Sequence, residues 1–401
     1  MRLLIITSSF HPVIGGAETY VFEVARALAQ RGHAVAIVTD VPRGALDGPV
    51  EGDPLGVNVY RLGGYRELLA DPSKIHWEQM AFGIHPELSW VVNRFRPDLV
   101  LTNSLDVAVI GKIVSLDRGI PWVATFHEQA PEREPLGEGR LQLIYGQLSP
   151  SLVLAGSQFY AERARRFGAR VELIYHGVDT DMFHPDKDPA KARRRYGYSG
   201  DHIVIVCAGR LKQRKGILEA LQAFATVHTG HPETRLLLVG SVNSASLSYA
   251  AQLESEIERL QLGAAVTIDR EVTFDQMPDT LAAADIVTQP SLEEGLGLAV
   301  LEAMSVGRPT ITTDIPGIQE ILTMPGIAIT VPPGEAKPLA AALQTLVVDS
   351  QKRAELGARG RTHVVEHFSR PQMVAKTEAA LQAVALRNPS MMETRDVREN
   401  T

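Results

Sequence analysis

Short apolar runs alternate with amphipathic segments along this chain, and the alternation starts twice. The runs LLIIT (3–7), AVAIVT (34–39), DLVLTN (98–103) and WVATF (122–126) are rich in Val, Ile and Leu, as strands covered on both faces are. Between the first two, Val21, Val24, Ala25 and Leu28 recur at helical spacing and RGH closes the segment, giving a β-α-β unit. The same order restarts at residue 202 with HIVIVCAGR, RLLLVG (235–240), AVTI (265–268), DIVTQPS (285–291) and RPTITT (308–313). Parallel strands need helical crossovers, so the alternation predicts an α/β fold and its restart predicts two doubly wound, Rossmann-like domains. We place the first over 1–185 and the second over 201–369. The stretch 186–200, polar and basic with no apolar period, reads as the linker, and 386–401 as a polar tail. Two such domains facing across a cleft would line it with their strand C-termini, where ligands of this architecture bind.

Charge and cysteine content narrow the function. A net charge of −7 argues against a general nucleic-acid binder, which carries a basic face. The single cysteine, Cys207, lies inside an apolar run and reads as a buried strand residue, which fits a reducing compartment. The N-terminus MRLLIITSSFHPV has too short an apolar stretch for a signal-peptide core and no small-residue cleavage pattern after it. No apolar run approaches the ~20 residues that span a bilayer. These features predict a cytoplasmic protein. The basic segments YAERARRFGAR (160–170) and KARRR (191–195) read as a solvated helix face and part of the linker, and no membrane contact is expected from a chain of this overall charge.

Three loops carry chemistry. SLEEGLGLAVLEAM (291–304) sets Glu293, Glu294 and Glu302 around a glycine-rich turn. Such a turn at a helix start is an anion cradle, because backbone N–H groups and the helix dipole point there, so carboxylates beside it suit uncharged hydroxyls. GRLKQRKG (209–216), directly after a strand, crowds Arg210, Lys212, Arg214 and Lys215 into a strand-to-helix turn, where side chains rather than a metal can neutralise a diphosphate. Any one of these cations could be surface charge. SSFHPVIGGAETY tests a dinucleotide-binding reading and fails it: Gly15 and Gly16 come well after the strand, with no third glycine in register, and no G-x-x-x-x-G-K-[ST] occurs in the chain. Gly16 could still approach a phosphate at the start of a helix over 17–30; the alternative is a turn without a ligand.

Together, GGAE (15–18), TFHE (125–128), YHGVDTDMFHP (175–185), GRLKQRKG (209–216) and PSLEEGLGLAVLEAMSVGRP (290–309) resemble the retaining glycosyltransferase family 4, nucleotide-sugar-dependent enzymes of the GT-B fold. The motifs come in family order over the first 330 residues or so, and the last of them is specific. The resemblance implies a transferase that moves a sugar, most commonly from a UDP-sugar, to an acceptor hydroxyl. Glu294 and Glu302 match the family's pair of glutamates, the first accepting hydrogen bonds from the transferred sugar and the second from the ribose. Backbone around Leu296, Gly297 and Leu298 would meet the diphosphate, and Arg210 and Lys215 would neutralise it as it leaves. His127 matches a histidine beside the donor sugar, although a lone histidine at a strand end is more often structural. Gly16 lies on the donor side and Gly15 on the acceptor side. In this architecture a C-terminal helix, here 370–385, returns to the first domain.

The same resemblance implies no cofactor and no metal. Asp179 and Asp181 spell D-x-D, but within HGVDTDMF acids cap turns. Two positions depart from the family: His176 replaces an asparagine before Gly177, and Arg270 stands where a glycine near the nucleobase is usual. The loop after His127, EQAPEREPLGEGR, carries Glu128, Glu132, Glu134 and Glu138 against Arg133 and Arg140, so the acceptor side is acidic and suits a small cationic aminocyclitol or amino sugar of an aminoglycoside-like pathway. A solvated, internally paired loop is the plain alternative. A lipid or cell-envelope polysaccharide acceptor, a sugar-nucleotide epimerase or phosphorylase, and a non-catalytic nucleotide-sugar sensor are the competing functions.

Overall fold

The computed structural model describes residues 1–11, 16–40, 57–62, 84–127, 137–242 and 246–387. They form two units, one comprising Met1–Tyr175 with the chain from Met373 onward, the other His176–Gln372. In the first, β1 (Arg2–Ile6), β2 (Ala34–Asp40), β3 (Asn58–Leu62), β4 (Leu99–Thr102), β5 (Trp122–Thr125), β6 (Leu152–Ala155) and β7 (Val171–Leu173) make a parallel sheet in the order β3-β2-β1-β4-β5-β6-β7. Leu3 and Ile5 enter one hydrophobic cluster and Leu4 and Ile6 another, so both faces of β1 are covered and its sequence is apolar without alternation. In the second unit, β8 (Ile203–Ala208), β9 (Thr234–Val239), β10 (Val266–Asp269), β11 (Ile286–Gln289), β12 (Thr310–Thr313) and β13 (Ile329–Val331) form a parallel sheet in the order β10-β9-β8-β11-β12-β13. Both orders reverse once, between β1 and β4 and between β8 and β11. A crevice opens at the strand C-termini of such a reversal, because the connecting chains there run to opposite sides.

The helix Gly16–Gln30 buries Val21, Val24, Ala25 and Leu28, the stripe expected from the sequence, and Tyr20 beside them. It ends where Gly32 turns to φ +85°, its N–H bonded to the Ala29 carbonyl at 3.0 Å and that of His33 to Leu28 at 3.1 Å. A side chain in that left-handed conformation would be strained, so glycine sets the stop. Cys207 is buried in β8, and burial pushes its thiol up to about 12, which keeps it un-ionised at neutral pH.

Residues 186–200, whose composition reads as the linker, lie within the second unit. The chain passes between units at Tyr175 and His176, and Pro189–Arg195 is a helix of the second unit. Its N-cap Asp188 accepts a bond from the Ala190 N–H at 2.8 Å, and Arg193 pairs with Asp285 at 2.7 Å while donating to the Ala283 carbonyl at 3.1 Å. Capping and one partly buried guanidinium fix this helix in place of an apolar stripe, which is why no period was visible.

The last helix, Arg370–Leu386, places Met373, Val374, Leu381 and Val384 in a core cluster of the first unit. Burial of each contributes roughly 1.5–3 kcal/mol, whereas the Glu378 pairs with Arg31 (2.5 Å) and His33 (2.7 Å) contribute about 1 kcal/mol at most, so apolar packing decides where the helix docks. The segment before it belongs to the other unit: Val178 and Ser369 form a bridge, and Gly177 is needed there because a Cβ would come within 2.7 Å of the Arg370 Cα. Asp179 caps the following turn, accepting from the Asp181 and Met182 N–H groups at 3.1 and 2.9 Å, and pairs with Arg370 at 2.5 Å. One acid of the D-x-D is thus occupied by chain folding.

Candidate active site

In the second unit, the turns after β8 and β11 meet at the reversal of strand order. Gln289, buried at the end of β11, donates to the Ala208 carbonyl at 2.6 Å, and the Leu292 N–H bonds to the Arg214 carbonyl at 2.7 Å. These two bonds stitch the cationic turn to the acidic one. Gly216 turns to φ +65° with its α-carbon so close to the Pro290 carbonyl that a Cβ would lie 1.9 Å from that oxygen. No side chain fits there, and the approach brings Lys215 over the acidic turn.

The Lys215 ammonium donates to a carboxylate oxygen of Glu294, and both side chains are nearly buried, 12% and 11% exposed. Ser291 donates to the same oxygen at 2.8 Å, and Arg214 stands 3.6 Å from the other. Arg214 also donates to the Glu293 carbonyl at 3.0 Å, so the Glu293 backbone takes part in closing the turn. The stem of Lys215 runs along Gly209, where a Cβ would lie 3.6 Å from its Cε. Burial, with Arg210 and Arg214 close by, lowers the pKa of the Lys212 ammonium, a sign of a positive potential in this turn.

Gly297, at φ +79°, caps the start of the helix Leu298–Ser305. Leu296 is buried beside it. Glu302 lies on this helix, near enough to Lys215 to feel its charge, yet desolvation outweighs that attraction and pushes its carboxyl up to about 7. The residues brought together are therefore Lys215, Glu294, Glu302 and the Leu296–Leu298 turn. Arg210 is exposed on the same turn and makes no ion pair among the described residues. Arg270 is not brought to the cluster: it follows the edge strand β10 and pairs with Glu254. Sequence reasoning missed Ser291, whose position immediately after an apolar run was the available signal.

In the first unit, His127 follows β5, and its Nε2 lies 2.8 Å from the Asn103 Oδ1. Asn103 follows β4, is buried, and donates its amide to the Ala17 carbonyl at 3.1 Å, so its oxygen faces the imidazole and Nε2 carries the proton. Tyr160 donates to the His127 carbonyl at 3.0 Å, and the Tyr20 ring stands 5.2 Å from the imidazole. Ser9, after β1, donates to Glu18. The histidine is thus a held, directional group at the reversal of the first sheet, and Asn103, which ends the run DLVLTN, is the residue that the sequence did not single out. Gly16 opens its helix, and among the described residues no atom lies within 4 Å of where a Cβ would sit. Gly15, Glu128, Glu132 and Glu134 lie outside the described residues. Of the neighbouring charges, Arg140 pairs with Asp106 and Glu138 with Arg166. His176 is half-buried, and desolvation lowers its imidazole to about 4, so it is neutral at physiological pH.

Two family models cover the chain, "Glycosyltransferase Family 4" over residues 14–182 and "Glycosyl transferases group 1" over residues 188–363. The D-inositol 3-phosphate glycosyltransferase of Pseudarthrobacter chlorophenolicus is 27% identical over 86% of this chain and 84% of its own. The GDP-mannose-dependent alpha-(1-6)-phosphatidylinositol monomannoside mannosyltransferase of Mycobacterium tuberculosis is 25% identical over 94% and 96%. Among solved structures, Anabaena HepE in complex with UDP and glucose superposes with a TM-score of 0.78 at 23% identity, over 96% of this chain and all of that one. The two parallel sheets are those of the GT-B fold. With a Glycosyltransferase Family 4 model matching its first half and a group 1 model its second, the chain belongs to the family 4 glycosyltransferases and is a transferase enzyme.

Proposed function

We propose that this enzyme moves a sugar from a UDP-sugar to a hydroxyl of a small polyol acceptor with retention of anomeric configuration. The observation that carries the reading is the convergence of Lys215, Glu294 and Glu302 with the Gly297 turn at the β8–β11 reversal. Lys215 and Arg210 meet the diphosphate, whose negative charge grows as the glycosidic bond breaks; fixed cations that match developing charge are usually the largest catalytic contribution. Leu296, Gly297 and Leu298 offer backbone N–H groups to the same anion at a helix start. Glu294 takes the hydroxyls of the transferred sugar and Glu302 those of the ribose. His127, held by Asn103, matches the family histidine that serves the donor sugar. The departing phosphate oxygen accepts the acceptor's proton on the face that it leaves, so neither glutamate serves as nucleophile and the carboxylate-spacing rule of retaining hydrolases does not apply. Countercharge comes from side chains, and the reaction needs no metal. Incubation with UDP-hexoses and candidate acceptors in excess EDTA is expected to release UDP only when an acceptor is present. Release without an acceptor would point to an epimerase- or phosphorylase-like reaction, and a requirement for added Mn²⁺ or Mg²⁺ would contradict the countercharge reading.

For the acceptor, the acids Glu128, Glu132 and Glu134 against Arg133 favour an aminated cyclitol or amino sugar. Acceptor KM is then expected to rise several-fold between low and 0.3 M salt, and with Glu132→Gln or Glu134→Gln, while donor KM stays constant. Equal use of neutral and aminated acceptors without salt dependence would remove this acceptor class. The named acceptor of the M. tuberculosis relative favours a second reading, a lipid-linked cyclitol. Among the described residues no helix is long and apolar enough to cross a membrane.

A further inference from the structure

The two side chains assigned above to different parts of the donor are bonded to one another. Lys215, meant for the diphosphate, donates to Glu294, meant for the sugar, and the Ser291 hydroxyl completes that oxygen's bonding. Both charges are nearly buried, so neither can be stripped of its partner cheaply. Removing one member of a buried pair leaves an uncompensated charge that costs far more than the pair is worth.

We infer that the Lys215–Glu294 pair is a latch that makes the site discriminate in favour of the sugar-bearing donor over the bare nucleoside diphosphate. This inference rests on the donor-site reading. A bare diphosphate can draw Lys215 away only by leaving Glu294 with Ser291 and the more distant Arg214, and it brings further negative charge towards that carboxylate. A donor that still carries its sugar supplies hydroxyl donors to Glu294 as Lys215 departs, so both charges stay satisfied. Once the sugar has moved to the acceptor, those hydroxyls leave with it. The pair re-forms, and the diphosphate product is expelled by the same contact that the intact donor had opened. Glu294 is then a specificity residue for product release as well as a ligand of the sugar.

The full-length protein and its Glu294→Gln variant, which keeps size and hydrogen-bonding capacity but not charge, are titrated calorimetrically with UDP and with GDP as probes. The variant is expected to bind UDP at least about tenfold tighter than the wild type, since the cost of breaking the buried pair disappears. The gain is expected to vanish when Glu294→Gln is made in a Lys215→Met background, because Lys215 is what the substitution releases. Unchanged or weaker UDP binding by Glu294→Gln overturns the latch and leaves the donor site standing. A gain that persists without Lys215 also overturns it, since simple charge repulsion would then account for the effect. Binding of neither nucleotide by either form overturns the donor-site reading and the latch with it. Thermal unfolding of each variant shows that the folded protein is being titrated.

Discussion

Lys215→Ala is expected to lower kcat by about 10²–10³-fold, the cost of removing one fixed charge aimed at a developing oxyanion. The size of the effect follows from position. The ammonium is held over Gly209 and beside the buried turn after β11, nearly buried, whereas Arg210 on the same turn is exposed. Arg210→Ala is therefore expected to cost less, because a solvated charge is screened and can be partly replaced. Loss of Lys215 also leaves Glu294 with a weaker set of partners, Ser291 at 2.8 Å and Arg214 at 3.6 Å, so some loss of stability accompanies the loss of rate. The two are separated by assaying at a temperature well below the unfolding midpoint of the variant. A variant that is folded there and turns over within threefold of the wild type would contradict the role given to Lys215.

Glu302 is expected to weaken the fold and strengthen donor binding. In the folded chain desolvation holds its proton up to about pH 7, against 4.5 when exposed. Between those values the folded state binds more protons than the unfolded one, so stability falls as pH rises through the window and the full penalty, about 3 kcal/mol at most, is present by pH 8. Glu302→Gln, which removes the titration while keeping the shape, is expected to unfold at a higher temperature than the wild type at pH 8 and at the same temperature near pH 4. Its donor Kd is expected to rise about 10- to 100-fold, the worth of a charge-assisted hydrogen bond to the ribose hydroxyls. For the wild type, donor binding should weaken as pH drops below about 7 and the carboxylate takes up its proton, and this dependence should be absent from the variant. Melting curves at the two pH values and a donor titration check both halves. A variant less stable than the wild type at pH 8, or one that binds donor as well, would contradict this account of Glu302.

Much of this was legible in the residues, for identifiable reasons. Strands such as β1 and β8 are covered on both faces, so runs of four and six consecutive apolar residues announce them. β3, β7 and β13 were not legible: VEL and ITV are three residues long and NVYRL is interrupted by Arg61, whose guanidinium donates to the His11 and Asp40 carbonyls. β6, LVLA, equals β4 and β5 in length and burial, so its apolar run was a signal that our reading passed over. The helix Pro189–Arg195 escaped because its anchor is Arg193 and not an apolar face. At the candidate site, the motif spacing singled out Lys215, Glu294 and Glu302, which the fold brings together. It could not show that Lys215 and Glu294 bond to one another, because that depends on how closely Gly216 approaches Pro290 across two loops. Nor could it show Asn103 behind His127, a contact between residues 24 positions apart. Arg270 shows the reverse case. Its place in the sequence put it near the nucleobase, but its guanidinium is turned to Glu254.

The nucleotide is proposed to occupy the turns at the β8–β11 reversal. Amide hydrogen exchange of the full-length protein, with and without saturating UDP, tests it most directly, because those turns carry the N–H groups that a diphosphate would hold. Slowed exchange is expected within 209–217 and 292–302, with no protection of Arg270 beyond that of its neighbours. Protection confined to other segments, with both turns exchanging at their unliganded rate, would contradict it.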